Sequence, residues 1–128
     1  MRKVLLVMIL SSAALIYAGK YEPVYTGSVP YSDSMNHEEV EKAIKKALIA
    51  AHGWSIREVK RKEITARLVV RAHQADVKIT YGGGMIKIEY DASMNLGYSE
   101  KGGEPYIHRN YNRWIRNLER YISQNVLI

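Results

Sequence analysis

The chain has 128 residues, a length that suits one domain, and its 47% hydrophobic and 25% charged content is that of a globular protein. It has no cysteine, which excludes disulfides, thiol nucleophiles, zinc–thiolate centres and iron–sulfur clusters. Nineteen basic against thirteen acidic residues give a formal charge of +6, which favours anionic partners and also aids solubility.

The N-terminal stretch has the three-part layout of a secretory signal. Arg2 and Lys3 give a positive start, residues 4–16 are apolar except for Ser11 and Ser12, and Ala18 precedes Gly19. Cleavage after Ala18 is expected, leaving an exported, periplasmic protein that begins at Gly19. The alternative is an uncleaved anchor, although the apolar run is shorter than the ~20 residues of a membrane span. Gly19 rather than cysteine follows the cleavage position, so lipid attachment there is excluded. Loss of Arg2 and Lys3 lowers the net charge to about +4.

Residues 19–34 carry Pro23, Pro30 and Gly27 among Tyr21, Tyr25 and Tyr31. Proline and glycine predict an extended segment, either a tether or an arm whose tyrosines pack on the domain. The domain proper is expected over 35–128. Its first helix starts at a capping box, with Asn36 as cap, Glu39 three residues on, and Met35 stapled against Val40. Val40, Ala43, Ile44, Ala47, Leu48 and Ala51 form one apolar stripe at helical spacing. Gly53 supplies a left-handed stop.

Four strands are predicted next. Residues 54–57 alternate, and Lys60, Arg61 and Lys62 make a charged turn. Ile64, Ala66, Leu68, Val70 and Ala72 face one way, Val77, Ile79 and Tyr81 follow a turn at Gln74, and Ile86, Ile88 and Tyr90 follow the Gly82–Gly83–Gly84 turn. That triglycine feeds a strand rather than a helix, so a hairpin turn is expected and not a phosphate loop. Short connections make the neighbours antiparallel. A loop over 92–105 leads to a second helix over 106–124, with Ile107, Tyr111, Trp114, Ile115, Leu118 and Ile122 on its apolar face. The expected fold is α+β: a two-layer sandwich, α-β-β-β-β-α, with a four-stranded antiparallel sheet, both helices on one face and the other face wet. There is no phenylalanine, so ten tyrosines and two tryptophans supply the aromatic packing, with the tyrosines expected at the core's edge.

Two groups of residues are candidates for function. Arg109, Arg113, Arg116 and Arg120 are spaced 4, 3 and 4 residues apart, within about 60° on the second helix and opposite its apolar face. Such a stripe suits phosphates or other anions, the alternative being a solvated helix face. The second group is Ser93, Asn95 and Tyr98 with His108, Asn110 and Asn112. Asparagine is a poor helix-interior residue, so these side chains form either a polar clasp between loop and helix or a ligand notch. His37, His52 and His73 lack the third partner of a metal or catalytic site, so no metal, cofactor or catalytic set is expected.

Gly53-Trp54, then Ser93-x-Asn95-Leu96-x-Tyr98, then Ile107-His108-x-Asn110-Tyr111-Asn112-x-Trp114-x-x-Asn117-Leu118 resemble a family of small uncharacterised bacterial exported proteins, many of them lipoprotein-like. The likeness spans about residues 36–124 and implies an envelope location and an α/β fold. This chain departs from the lipoprotein members in lacking the acceptor cysteine. The expected function is a non-enzymatic periplasmic binding or accessory module with an anionic envelope partner. The alternative is a small envelope enzyme using a His/Ser/Asn site around His108, Ser93 and Asn95. Export argues against a nucleic-acid partner, peripheral membrane contact fits the arginine stripe, and exposed strand edges allow a monomer or a weak homodimer.

Overall fold

Asn36 opens helix α1 (His37–Ala50) in the computed structural model, which describes residues 19–126. The expected signal segment, 1–18, lies outside the described residues. The capping box is present in both directions: Asn36 Oδ1 accepts from Glu39 N at 2.9 Å, and Glu39 Oε1 accepts from Asn36 N at 3.0 Å. Val40, Ala43, Ile44, Ala47 and Leu48 are buried, and Met35 packs against the core just ahead of the cap. The chain leaves α1 through His52 and Gly53, both left-handed.

The four expected strands follow as β3 (Trp54–Lys60), β4 (Glu63–Val70), β5 (His73–Gly82) and β6 (Met85–Met94), each antiparallel to the next. The inward set alternates as period two requires: Ile64, Ala66 and Leu68; Ala75, Val77, Ile79 and Tyr81; Ile86 and Ile88. The β4–β5 turn is Arg71–Ala72, not Gln74, which sits inside β5 opposite Val69 and Met94. Arg71 takes the left-handed conformation at φ 56°, a geometry that nothing in its side chain announces.

The sheet has five strands rather than four. The fifth is β2 (Gly27–Pro30), from the N-terminal arm, which pairs with the free edge of β6 to give the order β2-β6-β5-β4-β3. Gly27 and Val29 point inward and Ser28 and Pro30 outward. A Cβ on Gly27 would lie 3.0 Å from Ile88 Cδ1 and 3.3 Å from Ile115 Cγ2. This glycine is therefore a packing residue under the second helix, although its composition reads as loop. Pro30 is tolerated because it ends an edge strand.

A second, three-stranded antiparallel sheet was not expected. Strand β1 (Tyr21–Pro23) pairs with β8 (Glu104–His108), which pairs with β7 (Ser99–Lys101), in the order β1-β8-β7. The segment expected as a loop over 92–105 thus holds the end of β6 and a hairpin. Its two-residue turn is Gly102–Gly103, both at positive φ, the requirement of a type I′ turn. Because Tyr106, Ile107 and His108 are held in β8, helix α2 begins at Arg109 and runs to Val126 rather than over 106–124.

Tyr111, Ile115, Leu118, Ile122 and Val126 of α2 join the stripe of α1 and the inward set of the large sheet in one cluster. The fold is α+β, with mostly antiparallel strands and two helices. No helix among the described residues is long and apolar enough to cross a membrane.

Candidate functional site

The N-terminal arm lies along one flank of α2, fastened by two polar side chains of that helix. Asn112 is the buried polar residue of the described core. Its Oδ1 accepts from Tyr25 N at 2.9 Å, and its Nδ2 donates to Pro23 O at 2.9 Å and Glu22 Oε1 at 3.0 Å. Two turns further on, Glu119 accepts from Tyr25 Oη at 2.8 Å and Ser28 N at 2.7 Å. Burial, then the Glu119 carboxylate, push the Tyr25 phenol above its ordinary pKa. The arm is therefore packed and strand-paired, not a tether.

The loop–helix candidates are divided among separate tasks. Ser93 Oγ bonds Tyr90 Oη at 2.8 Å, and Tyr98 stacks on Tyr90 with ring centres 4.3 Å apart. Tyr90 also meets Tyr111 edge-on at 5.7 Å. Tyr111 is fully buried rather than at the core's edge, and its hydroxyl has no hydrogen-bond partner. Burial pushes that phenol well above its usual range. Asn95, at φ 59°, donates from Nδ2 to Ala72 O at 2.6 Å, while its carbonyl meets His73 Nδ1 at 2.7 Å. Asn95 thereby ties the end of β6 to the β4–β5 turn.

His108 and Asn110 are directly joined: His108 Nδ1 accepts from Asn110 N at 3.0 Å. That bond needs Nδ1 unprotonated and so places the neutral ring's proton on Nε2. Burial first, then Lys20 and Arg109, hold the His108 pKa below its ordinary value. Asn112 serves the arm on another flank of the helix. The polar clasp expected between loop and helix is in fact divided, and its strongest member holds the arm.

Arg109, Arg113, Arg116 and Arg120 are all exposed along the outer side of α2. They line one open groove of about 590 Å³ with Trp114, Asn117 and Glu22. Ser93, Asn95 and Tyr98 line neither this groove nor the two that adjoin it. The ion pairs among the described residues are Lys45–Glu41, Lys60–Glu58 and Arg67–Asp76, so none of the four arginines has a carboxylate partner there. The only acid of α2, Glu119, is turned to the arm. Arg116 instead lies over the Tyr25 ring, 4.6 Å from its centre, and Arg120 donates to Asn117 Oδ1 at 2.6 Å. These contacts hold the guanidinium planes without neutralising them.

Sequence reasoning placed Trp114 inward, but it is half-buried, packed on the core from one side and lining the groove from the other. Its angular position is the available signal: at ~100° per residue it falls between the arginine stripe and the apolar face. Glu22 and Tyr25 carry no such signal, because their partners on α2 are about ninety positions away in the chain. Among the described residues there is no group of three or more His, Cys, Asp or Glu that could hold a metal ion. The chain matches no protein-family model and no curated protein.

Proposed function

We propose that this protein is a binding module of the bacterial cell envelope that holds an anionic partner along the arginine face of α2. One observation carries the reading: four guanidinium groups line a single open groove with no ion-pair partner among the described residues. Arginines placed only for solubility are commonly interspersed with acids, whereas here the helix's own acid is committed to fixing the arm. Guanidinium is weakly hydrated and presents paired donors in a plane, which suits carboxylate, sulfate or phosphate oxygens. The signal-like N-terminus and the resemblance to exported proteins support an envelope location, with the exported form beginning at Gly19.

The test is retention on immobilised polyphosphate, a polyanion without sugar or base. The wild-type protein is expected to bind and to elute with rising salt, as screening of exposed charges requires. The Arg109→Gln, Arg113→Gln, Arg116→Gln, Arg120→Gln variant should pass through unretained with an unchanged circular dichroism spectrum. Equal retention of this variant and the wild type would remove the arginine face from consideration.

A further inference from the structure

The shape of the arginine face points to a particular kind of anion. Three depressions of about 590, 400 and 370 Å³ adjoin on the outer side of α2 and the arm, and Arg116 lines all three. The first of these, lined by all four arginines, is a shallow trough rather than a closed pocket. At ~1.5 Å per residue, Arg109 and Arg120 are about 16 Å apart along the helix, with the two other arginines between them at steps of roughly 5 Å. A single phosphate or carboxylate engages one or two guanidinium groups. Four in file match a chain with repeated charges.

The trough also holds groups that a bare polyanion does not use. Trp114 offers part of an indole face, Asn117 an amide, and Glu22 a carboxylate, all beside the arginines. Indole stacks on the apolar face of a ring, while amide and carboxylate bond hydroxyls. On the arm side the second carboxylate oxygen of Glu22, whose Oε1 accepts from Asn112, is available to hydroxyls lying between charges. A lipid surface fits less well, since Trp114 is half-buried on the helix flank and does not protrude as an interfacial anchor would.

We infer that the ligand is a linear anionic glycan, a polymer of sugar rings bearing carboxylate or phosphate groups, laid lengthwise along α2. This inference rests on the anion-binding reading above and adds to it the sugar ring and the extended form. The experiment is calorimetric titration of the full exported chain with a ladder of oligogalacturonates, alongside polyphosphate, single-stranded oligothymidylate and vesicles of anionic phospholipid. Affinity for oligogalacturonate should climb with length and level off once the oligomer spans ~16 Å of helix. Trp114→Leu keeps an apolar side chain against the core, and Asn117→Ala lies clear of it. Each should weaken oligogalacturonate roughly tenfold, and Trp114→Leu should leave polyphosphate binding nearly unchanged. Circular dichroism of both variants checks the fold.

Polyphosphate binding without oligogalacturonate binding would overturn the glycan inference and leave the anion-binding reading standing. So would tighter binding of oligothymidylate or vesicles than of oligogalacturonate at equal charge, or indifference of oligogalacturonate to both substitutions. Failure of every polyanion to bind would overturn the anion-binding reading itself.

Discussion

Two polar side chains of α2 are buried to similar depth with opposite outcomes. Asn112 satisfies its carbonyl oxygen and both amide protons against the arm, whereas the Tyr111 hydroxyl one position earlier has no partner. A buried group without a hydrogen bond costs about 1–3 kcal/mol. Tyr111→Phe keeps the ring against Tyr90 and removes the orphan oxygen, so it should raise stability by about 1 kcal/mol in urea unfolding. Asn112→Ala leaves Tyr25 N–H and Pro23 C=O unpaired and should lower it by about 2–3 kcal/mol. The two measurements together separate the polar demand of this part of the helix from its packing. They also distinguish a structural asparagine from a ligand-contacting one, since Asn112→Ala should affect binding only through the arm.

At the scale of elements, the arm is the piece on which the architecture turns. It supplies one edge of each sheet, and at Gly27 it passes close against Ile88 and Ile115. Gly27→Val would force a branched side chain into the contact with Ile88 and Ile115. Overpacking of that kind costs about 1–3 kcal/mol, which thermal unfolding would read as a lowered Tm. A Tm equal to wild type would show that β2 floats free of the helix. The elements legible in the sequence are those that carry their own rhythm. Helix α1 has its cap, stripe and stop within eighteen residues, and β4 to β6 alternate over eight to ten residues each with short turns. Strands β1, β2 and β7 have three or four residues, too few for a period, and the partners of β1 and β2 are far off in the chain, at Tyr106–His108 and Met85–Ile88. The β7–β8 hairpin did leave a mark in Gly102–Gly103, but its flanks of Glu100, Lys101 and Glu104 have no apolar alternation to confirm it. Of the candidate site, the arginine stripe was legible because a helical period exposes it. The six loop–helix residues were grouped by nearness in sequence, whereas their partners are separate: Tyr90 for Ser93, the β4–β5 turn for Asn95 and the arm for Asn112.

For the molecule as a whole, charge is distributed by the same economy of contacts. Two acids beside the arginine face already have partners: Glu22 Oε1 accepts from Asn112, and Glu119 accepts from the arm backbone and Tyr25. The excess of positive charge therefore gathers on one side instead of being dispersed. The attachment of residues 21–30 to the final helix has a bearing on biogenesis as well. The arm leaves a ribosome well before the helix on which it is seated, so a chain synthesised only through β6 has no α2 to hold the arm in place. Long-range closure of this kind slows folding, because loop-closure entropy is lost before the distant contacts form. The arginine side of α2 and the arm beside it are therefore completed together, when β1 and β2 close on the helix.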